Sequence, residues 1–134
     1  MKFLGSFLAV LLLAVGCSSG GGGIVSVTLD EFSVRADPVR VEAGERTFDV
    51  RNTGSVKHDF LILETARDAD DVPIGRGSQV DVSARGIKVV EQIRTIEPGA
   101  EKSVTAELER GPYLLICNLA GHYSGGMVTD FDVM

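Results

Sequence analysis

The chain has 134 residues, with 13 Lys plus Arg against 19 Asp plus Glu and a formal net charge of −6. Its acidic residues are spread along the sequence rather than blocked, which argues against nucleic-acid binding and for an ordinary solvated surface. Trp is absent, and only two Cys and two His are present, so thiol and imidazole chemistry is confined to a few positions.

At the N-terminus, Lys2 precedes an apolar run over residues 3–15 broken only by Gly5 and Ser6. That is a secretory leader, too short to span a bilayer, which takes about 20 apolar residues. The following Ala14-Val15-Gly16-Cys17 resembles the lipobox of bacterial lipoproteins, with Ala14 where Leu is usual. The resemblance implies that residues 1–16 are removed and Cys17 is acylated, which anchors the protein to a membrane outside the cytoplasm, in the periplasm or at the cell surface. An unmodified Cys17 would instead be an exposed thiol in an oxidising compartment. Residues 17–23, Cys-Ser-Ser-Gly-Gly-Gly-Gly, read as a flexible tether. Removing Lys2 with the leader lowers the 13 Lys plus Arg to 12 against 19 Asp plus Glu, a balance of −7. Residues 24–134 then form one domain of about 110 residues, monomeric as far as the sequence indicates.

Through the domain, helical periodicity is absent and short blocks of period-two alternation recur between Gly, Pro and Asn signals, which predicts an all-β sandwich. Val25, Val27 and Leu29 alternate with Ser26, Thr28 and Asp30, and Phe48 and Val50 with Thr47, Asp49 and Arg51; Asn52-Thr53-Gly54 then makes a turn. His58 shares a face with Phe60 and Ile62. Residues 66–86 are polar and irregular, with Pro73, Gly75 and Gly77, and predict a long excursion between the sheets with a short helical turn. Asp68, Asp70 and Asp71 in this stretch do not make an EF-hand, because Pro73 falls where that loop needs glycine. Val104, Ala106 and Leu108 alternate with Ser103, Thr105 and Glu107 between the turns Pro98-Gly99 and Gly111-Pro112. Tyr113, Leu115 and Cys117 share parity, although Leu114 and Ile116 make that strand apolar on both faces. Met127 shares parity with Phe131 and Val133, opposite Asp130 and Asp132.

Cys117, His122 and Met127 lie in Cys-Asn-Leu-Ala-Gly-His-Tyr-Ser-Gly-Gly-Met, and His58 stands far upstream. Each residue alone reads as a buried thiol, a satisfied polar group or a packing methionine. Together one thiolate, two imidazoles and a thioether form the ligand set of a mononuclear copper site, because they satisfy Cu(I) while still binding Cu(II). Residues 113–117 should deliver the thiolate at a strand end, with His58 on a neighbouring strand. Gly121, Gly125 and Gly126 permit the tight turning that returns His122 and Met127 to the same point. With Cys17 assigned to lipid and Cys117 to metal, no disulfide is expected.

With its C-x4-H-x4-M spacing and the upstream Asn52-Thr53-Gly54 before the histidine strand, the chain from residue 24 to 134 resembles the cupredoxins, nearest in loop spacing to auracyanin and rusticyanin. The resemblance implies an eight-stranded Greek-key sandwich holding one type 1 copper through His58, Cys117 and His122, with Met127 axial. Many cupredoxins carry Asn after the first histidine; here Asp59, when ionised, can only accept, and the backbone N–H following Cys117 is the expected donor. The implied function is single-electron transfer between a redox donor and acceptor, respiratory or photosynthetic, with no enzymatic step. A copper carrier or buffer that delivers metal to a cuproenzyme is the alternative, disfavoured by the lack of a Met-rich tract. A metal-free immunoglobulin-like adhesion domain would leave the ligand spacing to coincidence. The charge-free stretch from 118 to 127, with Leu119, Ala120 and Gly121 beside His122, reads either as a docking patch or as loop packing.

Overall fold

The computed structural model describes residues 22–134; the expected leader, the expected acylation of Cys17 and all but the end of the expected tether fall outside the described residues. Among the described residues nine strands run as β1 (Gly23–Asp30), β2 (Ser33–Asp37), β3 (Arg40–Val41), β4 (Gly44–Asn52), β5 (His58–Glu64), β6 (Lys88–Ile96), β7 (Glu101–Leu108), β8 (Gly111–Ile116) and β9 (Val128–Val133). They form a four-stranded sheet in the order β2-β1-β4-β7 and a five-stranded sheet in the order β3-β9-β8-β5-β6. The β1–β4 and β3–β9 pairs are parallel and the other pairs antiparallel. The two-residue β3 takes the count above the expected eight.

The alternating residues face the interior as their parity requires. Val25, Val27 and Leu29 from β1 and Phe48 and Val50 from β4 meet Phe60 and Ile62 from β5, Tyr113 and Leu115 from β8, and Phe131 and Val133 from β9 in one buried core. Phe48 is central, with its ring 5.9 Å from Phe60 and 5.6 Å from Phe131. Burying each such side chain contributes about 1.5–3 kcal/mol. The β5–β6 register shifts twice, and both extra residues fall in β6. β5 therefore keeps its alternation and holds His58 on the core side, whereas the two bulges blur the period-two pattern of β6. At the end away from His58, Tyr113 Oη donates to the Glu109 carbonyl at 2.9 Å and accepts from its N–H at 3.0 Å, which pins the β7–β8 corner.

The segment between β5 and β6 departs from the sequence expectation. Its two flanking strands are neighbours in the same sheet, so it does not run between sheets; it folds over the outer face of the five-stranded sheet. Val72, Val80 and Tyr123 are buried there with Leu61 and Leu63 of β5 and Leu114 and Ile116 of β8. Asp68, Asp70 and Asp71 stay exposed, and the helical turn is a short 3-10 element, Arg76–Ser78. The isolated apolar residues of this segment carry no periodicity, so their burial could not be read from the pattern. The same layer explains why β8 is apolar on both faces.

Candidate metal centre

Three donors converge at one end of the sandwich. His58 opens β5 and is fully buried; Cys117 follows the last residue of β8 and is fully buried; His122 lies half-exposed in the connection from β8 to β9. The two strands that carry His58 and Cys117 are hydrogen-bonded neighbours. His58 Nδ1 and His122 Nδ1 lie 3.1 Å apart, and Cys117 Sγ is 3.7 Å from the first and 3.5 Å from the second. Among the described residues these three make a group able to hold a metal ion, with every donor atom within 4.8 Å of the others. Their separations suit nitrogen and sulfur ligands bonded to one first-row ion at about 2.0–2.3 Å. A thiolate with two imidazoles is a soft, mixed donor set, which fits the copper ion inferred from the sequence.

The ligand loop is wound tightly by its own backbone. Met127 is fully buried beside Cys117; its carbonyl accepts from Cys117 N–H at 3.1 Å and its N–H donates to the His122 carbonyl at 3.1 Å. Gly121 and Gly126 adopt φ of +79° and +115°, the left-handed region that the sequence led us to expect. Gly125 serves differently, because a Cβ there would stand 2.8 Å from the Phe32 ring.

Burial dominates the electrostatics. It pushes the Cys117 thiol up to about 12, so metal loading must displace a proton. Burial also lowers His58, favouring the neutral imidazole a metal requires, and raises Asp59. Asp59 plays the expected part: its Oδ1 accepts the backbone N–H of Asn118, the residue after Cys117, at 2.5 Å.

Several residues of this region went unnoticed in the sequence. Asn118 is buried and locks the outer layer to the ligand loop: its Oδ1 accepts from Val80 N–H at 2.8 Å, its Nδ2 donates to the Val80 carbonyl at 3.2 Å, and its own carbonyl accepts from Gln79 Nε2 at 2.6 Å. Gly121 N–H donates to the Gly77 carbonyl and Ser124 Oγ to the Ser78 carbonyl, which continue the seam. From the opposite side, the β1–β2 turn contributes Glu31, whose Oε1 lies 3.1 Å from His58 Nε2, and Phe32, whose ring stands edge-on to His122 at 6.1 Å. Neither Glu31 nor Phe32 has a sequence signal beyond lying between two strand blocks. Leu119 is partly buried against the main core, so packing accounts for it, while Ala120 and Gly121 are exposed and Phe32 is 55% exposed.

No family model matches the chain, and no curated protein matches it in sequence. Solved structures match it in fold. One is dithionite-reduced auracyanin from the photosynthetic bacterium Roseiflexus castenholzii, at 17% identity over 84% of this chain and 96% of that one, with a TM-score of 0.59. Another is auracyanin A, a "blue" copper protein from the green thermophilic photosynthetic bacterium Chloroflexus aurantiacus, at 19% identity over 84% of this chain and 100% of that one, with a TM-score of 0.62. A third is rusticyanin from Thiobacillus ferrooxidans, at 19% identity over 85% of this chain and 79% of that one, with a TM-score of 0.61. The fold is therefore the cupredoxin sandwich.

Proposed function

We propose that this domain is a one-electron carrier with a single type 1 copper that His58, Cys117, His122 and Met127 would hold. The observation that carries the reading is the convergence of two imidazole Nδ1 atoms and one thiol sulfur, 3.1–3.7 Å apart, at one end of the cupredoxin sandwich, with His58 and Cys117 buried. The "blue" copper description of auracyanin A, which shares the fold, supports it.

Bound copper supplies a one-electron couple between Cu(II) and Cu(I). The chain's part is to hold the donors nearly still. His58 is fixed by β5, Cys117 by its N–H to the Met127 carbonyl, and the loop that follows Cys117 by the Asp59 and Asn118 hydrogen bonds. Ligands that do not rearrange lower the reorganisation needed when the electron arrives or leaves. His122, half-exposed, offers the path to a redox partner, and the reading includes no catalytic step.

Tethering outside the cytoplasm belongs to the same proposal and rests on the sequence of residues 1–23, with Cys17 as the acylated anchor. Cys17→Ala should move the protein from the membrane to the soluble fraction on cell fractionation, since one anchor is removed and the remaining surface is acidic. Retention in the membrane would point to an uncleaved leader or a membrane-bound partner.

The visible spectrum of the purified, copper-loaded protein tests the central claim. An intense blue or green thiolate-to-copper band is expected. A colourless Cu(I) complex that surrenders its metal quickly to a chelator would instead identify a copper carrier.

A further inference from the structure

The β1–β2 turn places two consecutive side chains against the two histidines, and Glu31 is the one with built surroundings. Its carboxylate is gripped by the β4–β5 turn: Ser55 N–H lies 3.0 Å from Oε1 and 3.1 Å from Oε2, Val56 N–H donates to Oε1 at 3.0 Å, and Ser55 Oγ reaches Oε2 at 3.4 Å. That turn is itself fixed by the fully buried Asn52, which accepts Gly54 N–H at 2.8 Å and donates to the Val56 and Ile96 carbonyls at 2.8 and 2.9 Å. Gly54 leaves the space, since a Cβ there would overlap the Glu31 carboxylate. The remaining approach to Oε1 is taken by His58 Nε2 at 3.1 Å, with the histidine fully buried and the Glu31 side chain 24% exposed.

We propose that Glu31 is a positioning residue of the metal centre: it takes the Nε2–H of His58, so that the Nδ1 lone pair is left for the metal, and its negative charge favours Cu(II) over Cu(I). The proposal rests on the copper reading given above. An imidazole with two ring nitrogens has two neutral tautomers, and an acceptor on one nitrogen selects the tautomer that coordinates through the other. Glu31 Oε1 lies against Nε2, while Nδ1 faces Cys117 and His122. The two backbone N–H groups of Ser55 and Val56 stabilise the ionised carboxylate, and a fixed negative charge beside the ligand shell stabilises the more highly charged metal ion.

Glu31→Gln and Glu31→Ala in the full-length protein separate the two contributions. Glutamine can keep one oxygen on His58 Nε2 and the turn amides while it removes the charge and replaces the second acceptor, which faces Ser55, with an NH2 group; alanine removes the carboxylate altogether. The expected result for Glu31→Gln is a retained visible band with the ratio of Cu(II) to Cu(I) affinity reduced about tenfold, read by potentiometric titration as a rise of about 59 mV for a one-electron couple. Glu31→Ala should in addition weaken metal affinity by about 10–100-fold. In the metal-free wild type, long-range proton–nitrogen NMR should show His58 protonated at Nε2, and Glu31→Ala should lose that preference. An unchanged potential in Glu31→Gln, or a wild-type His58 protonated at Nδ1, would overturn the proposal. A wild-type protein without the intense band would refute the copper reading instead, and the NMR tautomer would still decide the Glu31–His58 contact.

Discussion

The two faces of β8 and of Cys117 just beyond it serve different ends, although five consecutive residues supply both. Tyr113, Leu115 and Cys117 point into the inter-sheet core, where period-two strands from both sheets close around the metal centre. Leu114 and Ile116 point outward, beneath a layer built from residues 65–87 that has no strand pairing to the sheet it covers. The inner face is specified by alternation on several strands at once. The outer face is specified by a few apolar anchors, Val72 and Val80, and by polar ties such as Asn118. A metal site needs ligands held from both directions: the inner core fixes where His58 and Cys117 begin, and the outer layer fixes the loop that brings His122 back.

Substitutions on either side of that boundary should separate the two roles. Cys117→Ser, on the inner face, should abolish the intense visible band, because a hydroxyl is a harder and weaker ligand and cannot supply the thiolate transition; an equally coloured mutant would remove Cys117 from the ligand set. Ile116→Ala, one residue earlier and on the outer face, should cost roughly 2–5 kcal/mol of stability by denaturant titration while the copper-loaded protein keeps its band. If Ile116→Ala instead bleached the site without loss of stability, the two faces would not be separable as described.

Met127→Leu should keep the copper and raise the reduction potential, since a thioether near the metal favours Cu(II) relative to an alkyl group. The subtlest effect concerns the metal-free protein. Its Cys117 thiol is raised from an ordinary 9.0 to about 12 by burial, so the folded state prefers the protonated form. The stability that follows is fully present below the ordinary thiol value and is lost as pH rises through about 12. The melting temperature of the metal-free wild type should therefore fall more steeply between those limits than that of Cys117→Ala, measured by circular dichroism at fixed ionic strength. Parallel slopes would mean that the thiol is solvated without its metal.

By itself the sequence determined the inter-sheet core and singled out His58, Cys117 and His122, which the structure brings together. Alternation at Val25–Leu29, Phe48–Val50 and Val104–Leu108 is a local property that survives in any sandwich, and strand parity places His58 and Met127 on the core side, whereas for Cys117, on a strand apolar on both faces, parity was less decisive. Asp59 was equally legible, because an ionised carboxylate has only acceptors and one backbone donor stood next to the cysteine. β6 was not, since two bulges interrupt its period, and the outer layer was not, since Val72 and Val80 stand singly among polar neighbours. Tertiary structure alone decided the rest. It folded residues 65–87 onto the back of their own sheet, drew Asn118 against Val80, and brought the turn between β1 and β2 to the two histidines. Glu31 lies 27 positions from His58, and a contact between two turns leaves no period in either; only the stacking of the sheets sets the distance between them.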